Sequence, residues 1–124
     1  MALEQIPQIA FELTQSDTNI WGVTILDANN NIVYRTDNWD ISAEVTTVAQ
    51  INEKTSAIVL SEVRYVVVEN IPERIIATNV TGKGHLIICP AGNGKIICYI
   101  NPAAGPRDSL LNVMNYARKI GAYL

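Results

Sequence analysis

The stretch His85–Ile100, HLIICPAGNGKIICYI, decides the fold of this 124-residue chain. Two isoleucine-rich runs flank a short segment of Gly and Asn, which is the sequence pattern of a β-hairpin. Strand alternation places one apolar set on one face: Ile87, Cys89, Ile96, Cys98 and Ile100. A second apolar set lies on the other face: Leu86, Ile88, Ile97 and Tyr99. Because both faces are apolar, we expect this hairpin in the middle of a sheet, with a layer packed on each side.

Pro90 restricts the register of this hairpin. Proline has no N–H to donate, so it belongs at a non-hydrogen-bonded position of the ladder. A turn that sets Ala91 opposite Gly94 gives Pro90 such a position and leaves Cys89 diagonal to Cys98. A shifted turn would oppose the two cysteines, but it would place Pro90 where a donor is needed. We therefore expect two reduced, unbridged thiols, as is typical of a reducing compartment.

Length and composition predict a single domain over residues 1–124. The net charge is −3 and the sequence pI is near 5.0. This balance argues against a nucleic-acid partner, because phosphate binding requires clustered Lys and Arg. No window reaches the roughly 18 apolar residues of a membrane span, and the start of the chain around Glu4 lacks the basic flank of a signal peptide. We expect a cytoplasmic protein.

Hydrophobic periodicity predicts three helices. The first begins near Pro7 and carries an apolar stripe, formed by Leu3, Ile6, Ile9, Ala10 and Leu13. The second runs approximately from Ile41 to Glu53 behind a capping Asp40. Its inward-facing residues are Ile41, Val45, Val48 and Ala49. The last helix has Gly105 at its cap and Pro106 at its first helical position, an arrangement that suits the fixed φ of proline.

Five further segments have the alternation and composition of strands: Ile20–Leu26, Ile32–Arg35, Ala57–Leu60, Val63–Glu69 and Arg74–Val80. Short turns between consecutive strands predict antiparallel pairing. The expected fold class is therefore α+β, with a central antiparallel sheet of six or seven strands. The N- and C-terminal helices cover one face of this sheet, and the middle helix covers the other.

Residues that could carry chemistry are sparse. His85 is the single histidine, and neither cysteine has a histidine close to it in sequence. The Gly-rich segments 82–84 and 92–94 lie between strands and do not open a helix, so they are turns and not phosphate-binding loops. We expect no catalytic residue, no metal site and no cofactor, and we interpret the chain as a binding module and not an enzyme.

The segment VRYVVVEN–IPER–IIATNVTGKGHLIICPAGNGKIICYINPAAG resembles profilin. Three features carry the resemblance: the basic-aromatic pair Arg64-Tyr65 that starts a strand, the Gly-rich turn Gly82-Lys83-Gly84 before a central hairpin, and a Pro/Gly segment that leads into the terminal helix. The weak overall similarity favours a divergent, archaeal profilin. The resemblance implies a monomeric, cytoskeleton-associated protein that binds the actin monomer and regulates filament assembly.

The resemblance also implies site residues. The actin-facing positions would be Val67, Glu69, Thr78, Val80, Lys83, His85, Ser109, Asn112 and Val113. Profilins usually carry basic residues near positions 69, 78 and 80, where this chain has Glu, Thr and Val. A site for proline-rich peptides would use Tyr34 and Tyr123, but the first helix lacks the expected Trp near Leu3. Phosphoinositide binding would be weak at best, because it depends on basic patches that this acidic chain lacks.

A second family fits the order of elements. The Roadblock/LC7 module has a similar layered plan, lacks the extra strand Ala57–Leu60, and acts as a dimeric platform for small GTPases. A monomer in solution would favour the profilin interpretation, and a dimer would favour Roadblock.

Overall fold

The computed structural model describes residues 4–124. In chain order, the elements are α1 (Gln5–Ser16), β1 (Ile20–Leu26), β2 (Ile32–Arg35), α2 (Val45–Ala49), β3 (Ala57–Leu60), β4 (Val63–Ile71), β5 (Arg74–Thr78), β6 (His85–Ala91), β7 (Gly94–Ile100) and α3 (Leu110–Gly121). The seven strands form one antiparallel sheet in the order β2-β1-β7-β6-β5-β4-β3. In the described part of the chain, no helix is long and apolar enough to cross a membrane.

The hairpin β6–β7 lies in the middle of this sheet, as the sequence predicts. Pro90 pairs with Lys95, and Ala91 pairs with Gly94. Cys89 lies opposite Ile96 and not opposite Cys98. The predicted register is therefore confirmed, and it follows from the missing N–H of Pro90.

Two buried clusters pack on the two faces of the sheet. The cluster beneath α1 and α3, here called the terminal-helix core, consists of Ile6, Ala10, Leu13, Ile20, Val23, Ile25, Ile87, Cys89, Ala91, Ile96, Cys98, Ile100, Val113, Ala117 and Ile120. The cluster on the side of α2, the middle-helix core, consists of Leu26, Trp39, Ile41, Val48, Ile58, Leu60, Tyr65, Ala77, Leu86, Ile88 and Ile97. The predicted α+β sandwich and the predicted faces of the hairpin are both confirmed.

The N-terminal helix begins slightly earlier than predicted. It starts at Gln5, so Pro7 lies within its first turn, where a missing N–H has no intrahelical partner to lose. Three of its residues are fully buried: Ile6, Ala10 and Leu13. Leu3, which the sequence analysis placed on the same stripe, lies outside the described residues.

The middle helix is much shorter than predicted. A 3₁₀ turn, Ser42–Glu44, leads into α2, which ends at Ala49 and not at Glu53. Two threonines in a five-residue helix, Thr46 and Thr47, offer little intrinsic helix propensity, so packing of the flanking apolar residues has to hold the segment. Ala49, predicted to face inward, is exposed. Asp40 lies one residue before the cap and accepts a hydrogen bond from the backbone N–H of Ser42.

The last helix starts later than predicted, at Leu110 with Ser109 at its cap. Gly105 and Pro106 belong to a separate turn. The Gly105 N–H donates to Asp108 Oδ2 over 2.9 Å, and the Asp108 N–H donates to the Gly105 carbonyl over 3.2 Å. The Asp108 carboxylate therefore caps this turn and not the helix, because it bonds back to a residue that precedes the helix.

The strand boundaries agree with the sequence analysis except at two ends. β4 continues to Ile71, two residues beyond its predicted end, and β5 stops at Thr78, two residues short of Val80. The turn between them is reduced to Pro72 and Glu73. β4 also contains an irregularity between Val67 and Glu69, where its register with β5 shifts.

The two buried thiols give a testable result. Burial raises the pKa of Cys89 to about 11, and burial also raises the pKa of Cys98 well above its ordinary value. Both thiols are therefore protonated at pH 8 in the folded protein, and they should react slowly with Ellman's reagent. Unfolding in guanidinium should release two fast-reacting thiols per chain, because both cysteines are free. Rapid reaction of the folded protein, or fewer than two thiols after unfolding without reductant, would contradict this placement.

Candidate partner-binding surface

Helices α1 and α3 leave part of their side of the sheet uncovered. They pack on strands β1, β2, β6 and β7. Among residues 4–124, the terminal-helix core takes no buried member from β3, β4 or β5. On those strands and at the start of β6, the strand pairings place ten side chains on this same side, here called the open face: Ala57, Val59, Arg64, Val66, Glu69, Ile71, Arg74, Ile76, Thr78 and His85. Of these ten, Ile76 is fully buried.

Exposed apolar side chains lie on and beside the open face. Val59 and Val68 are each about half exposed, and Val80, two residues after β5, is 77% exposed. Leu111, in the first turn of α3, is 76% exposed. Single exposed apolar residues are common, but several of them around one uncovered sheet surface are typical of an interaction site.

Helical spacing places Leu111 on the side of α3 that borders the open face. Leu111, Met114 and Arg118 are separated by three and four residues, so they share one stripe of the helix. Met114 and Arg118 line a groove of about 440 Å³ between α3 and the strands. Glu73 and Cys89 line the opposite wall. The groove therefore lies between the later part of α3 and the β4–β5 and β6–β7 turns, with one charge of each sign in its lining.

A charged cluster crosses the open face. Arg74 donates from Nε and Nη2 to the two carboxylate oxygens of Glu69, each over 3.2 Å. Arg107 donates from Nη1 to Glu69 Oε1 over 2.6 Å. The two hydrogen bonds from Arg74, and then the single one from Arg107, lower the pKa of Glu69 below its ordinary value. Two guanidinium groups thus share one carboxylate, which leaves an excess of positive charge at this point.

His85 connects the open face to the segment that precedes α3. Its Nδ1 lies 2.7 Å from Thr78 Oγ1, and its Nε2 lies 2.7 Å from the carbonyl oxygen of Ala104. A neutral imidazole satisfies both contacts if Nε2–H donates to Ala104 and Nδ1 accepts from the Thr78 hydroxyl. Both ring nitrogens are therefore used inside the protein, and the histidine connects the 101–109 segment to the start of the central strand β6.

Comparison with known proteins identifies the family. The chain is 39% identical to Loki profilin-1 of Lokiarchaeum over 128 aligned positions, which cover 94% of the chain and 96% of the relative. Its fold matches the crystal structure of LokiProfilin1 with a TM-score of 0.90 over 98% of both chains. The chain belongs to the profilin family. No family model matches the chain.

Other profilins are more distant from this one. Odin profilin of Odinarchaeota yellowstonii is 29% identical over the full length of both chains. Acanthamoeba castellanii profilin IA is only 16% identical, with a TM-score of 0.70. A Roadblock/LC7 domain of Streptomyces avermitillis is 15% identical, with a TM-score of 0.61. The Acanthamoeba and Roadblock likenesses concern the fold alone, and the family of this chain is profilin and not Roadblock.

Five of the nine actin-facing positions predicted from the sequence lie at the open face of this profilin. Glu69, Thr78 and His85 are on it, although all three are engaged by other side chains of the protein. Val80 and Lys83 are exposed on the β5–β6 turn at its end. That these residues contact a partner stays a prediction.

Val67 lies on the opposite side of the sheet from Glu69. It pairs with Ala77 and packs against the middle-helix core, whereas Glu69 pairs with Ile76. In a regular strand, residues 67 and 69 would share a face. The irregularity around the half-exposed Val68 adds one residue to β4 and reverses the alternation. Sequence alternation had no signal for this bulge.

The three predicted positions in α3 also differ from expectation. Ser109 and Val113 are fully buried, so their side chains cannot form part of a surface. Asn112 is half-buried and points towards α1, where its Nδ2 donates to Asp17 Oδ2 over 2.9 Å. The physical reason for Val113 is helical spacing, because Val113, Ala117 and Ile120 lie at intervals of four and three residues and form the buried stripe of α3.

Arg107 and Leu111 are therefore surface residues that the sequence analysis missed. With Gly105 at the cap and Pro106 at the first helical position, the sequence analysis placed Arg107 in the first turn of the last helix. There, the helix would set the direction of its side chain. The turn at Gly105–Asp108 releases it to reach Glu69, which lies 38 positions earlier in the chain.

The two tyrosines predicted to bind proline-rich peptides lie on the other side of the terminal helices. Tyr34 and Tyr123 are partly buried and pack against the terminal-helix core. Recognition of proline requires an aromatic-lined groove, and the position near Leu3 that would complete it lies outside the described residues. Proline-peptide binding stays a prediction. Within residues 4–124, no three His, Cys, Asp or Glu side chains are grouped so that they could hold a metal ion.

Proposed function

We propose that this profilin binds actin monomers through the open face and the adjoining start of α3, and thereby regulates filament assembly. The observation that carries the proposal is the exposed apolar surface on the side of β3, β4 and β5 from which α1 and α3 draw no core residue, together with the exposed Leu111 at the start of α3. Similarity to relatives supports actin as the partner. LokiProfilin1 and LokiProfilin2 form complexes with rabbit actin, and each matches this chain at 36% identity with TM-scores of 0.90 and 0.91.

The composition of the open face suits a protein partner. Its apolar members can be buried in an interface, while charged groups at its margin set the orientation of the partner. The groove beside α3 offers a recess for an apolar side chain of the partner, since Met114 and Ala117 are among the residues that line it. Binding and not turnover is the expected activity, with both thiols protonated and both nitrogens of His85 engaged.

Leu111→Asp is the sharpest test of this surface. Leu111 is exposed, so the change should leave the fold intact, but it places a charge where the partner would desolvate the side chain. We expect at least a tenfold loss of affinity for actin monomers, equivalent to about 1.4 kcal/mol. The measurement is the slowing of assembly of fluorescently labelled actin as a function of profilin concentration. Asn112 is a poorer choice for mutation, because its bond to Asp17 also holds α1 and α3 together.

Phe11→Asp is the matched control. Phe11 is 54% exposed on α1, which packs on the β1–β2 side of the sheet, away from the open face. The Phe11→Asp variant should slow actin assembly as much as the wild type does. Equal activity of Leu111→Asp and wild type would remove the open face from the interface. A wild type without effect on actin, found as a stable dimer that binds a small GTPase, would support a Roadblock-like role instead.

We further propose a cytoplasmic, monomeric protein. The two reduced, buried cysteines are compatible with a reducing compartment, and actin monomers are cytoplasmic partners. The solution mass should be close to 13.6 kDa, the mass of one chain. A mass near twice this value at micromolar concentration would contradict the monomer.

A further inference from the structure

The cluster of Glu69, Arg74 and Arg107 is asymmetric in exposure. The side chains of Glu69 and Arg74 are 20% and 26% exposed, whereas that of Arg107 is 53% exposed. Arg74 engages the carboxylate with two nitrogens, and Arg107 engages it with one. A guanidinium carries five N–H donors in a fixed planar fork. Most of the donors of Arg107 therefore remain for a group outside the protein.

The backbone that carries Arg107 is held at both ends. The Asn101 N–H donates to the Asn19 carbonyl over 2.8 Å, and His85 Nε2 lies 2.7 Å from the Ala104 carbonyl. The turn closed by Asp108 follows directly. With the main chain fixed in this way, the remaining freedom of Arg107 is in its long side chain, and the bond to Glu69 restricts that freedom.

Stability alone does not explain this arrangement. An ion pair with a half-exposed arginine contributes little to the free energy of folding, because solvent screens it and the side chain loses entropy. Orientation of the arginine is a different effect. An arginine that is already ordered loses less entropy when it binds a second group, so its contribution to affinity rises.

We propose that Glu69 is a positioning residue, which holds Arg107 so that the free edge of its guanidinium binds a carboxylate of the protein bound at the open face. This inference rests on the proposed function, since it names a contact within the same interface. It also gives a role to an acidic residue at a position where profilins usually carry a basic one. The positive charge that meets the partner comes from Arg107, and Glu69 acts inside the protein.

A double-mutant cycle on Glu69 and Arg107 tests the proposal with actin monomers as the probe. Arg107→Ala should weaken binding by roughly ten- to a hundredfold, the range for a hydrogen-bonded charged pair. Glu69→Gln keeps the size of the side chain and removes its charge, so it should weaken binding by a smaller factor, roughly three- to tenfold. In the Arg107→Ala background, Glu69→Gln should have no further effect, because the residue that it positions is gone.

Two further variants separate positioning from general charge or stability effects. Arg107→Lys keeps the charge but loses the planar fork, so it should recover only part of the affinity. Arg35→Ala removes a partly exposed arginine of β2, at the far edge of the sheet, which pairs with Asp40 over 3.7 Å. This variant should bind actin like the wild type. All variants should unfold at temperatures close to that of the wild type.

Three results would overturn the proposal. Equal weakening by Glu69→Gln in the wild-type and Arg107→Ala backgrounds would mean that Glu69 acts independently of Arg107. Tighter binding by Glu69→Gln would mean that its charge faces an acidic partner directly. Normal binding by Arg107→Ala would remove Arg107 from the interface. If Leu111→Asp still weakens binding in these cases, the proposed actin surface stands while the role of Glu69 fails; if the wild type itself does not bind actin, both proposals fail.

Discussion

Replacement of Ile87 or of Ile97 by alanine should lower the free energy of unfolding by about 2–5 kcal/mol. Both side chains are fully buried, one in the terminal-helix core and the other in the middle-helix core. They pair with residues of the same central hairpin, so neither site can collapse without moving a strand that is packed on both faces. Each replacement therefore removes apolar burial and leaves a cavity.

Chemical denaturation monitored by tryptophan fluorescence is the measurement for these variants. Val80→Ala provides the comparison, because Val80 is 77% exposed and its truncation should change stability by no more than about 0.5 kcal/mol. If Ile97→Ala unfolded at the same denaturant concentration as the wild type, burial of the Ile97 side chain on the α2 side would be contradicted. If Ile97→Ala lowered the free energy of unfolding and Ile87→Ala did not, burial of the Ile87 side chain beneath α1 and α3 would be contradicted.

Replacement of Gly92 by alanine should be similarly damaging, for a different reason. Gly92 occupies the β6–β7 turn with φ +58°, and a Cβ there would lie 2.3 Å from the carbonyl oxygen of Gly121 at the end of α3. The left-handed backbone costs a residue with a Cβ about 1–2 kcal/mol. The clash with main-chain atoms adds about 1–3 kcal/mol, because the helix end or the turn has to shift. We expect a total loss of about 2–5 kcal/mol.

Gly82→Ala separates these two contributions. Gly82 also has a positive φ, +84°, but a Cβ at this position would meet no atom within 4 Å. Gly82→Ala should therefore lower the free energy of unfolding only by the cost of the left-handed backbone, about 1–2 kcal/mol. Equal destabilisation by the two replacements would show that contact between α3 and the hairpin turn does not limit stability.

The sequence by itself determined the centre of this protein. The alternation of His85–Ile100 and the missing N–H of Pro90 fixed the hairpin, its register and the two faces that the helices cover. These features are local, because side-chain direction in a strand has a period of two and proline acts on its own position. The resemblance to profilin added the family, and it predicted a partner surface at the later strands and the last helix.

The details of that surface were decided by tertiary structure. The bulge at Val68 reversed the face of Val67 relative to Glu69, and the Asp108 turn left Arg107 outside α3, where its side chain reaches Glu69. Both effects depend on which hydrogen bonds compete locally, and strand or helix periodicity does not report them.

The charge pattern depended on contacts between residues that are distant in sequence. Glu69 appeared from the sequence to replace a basic residue, but its partner Arg107 lies 38 positions away, and the fold alone brings the two together. Gly92 and Gly121 are likewise distant in sequence, and the fold brings their main chains together where α3 ends against the hairpin turn. Long-range contacts of this kind arise only after the sheet and helices have packed, so a single sequence carries no local signal for them.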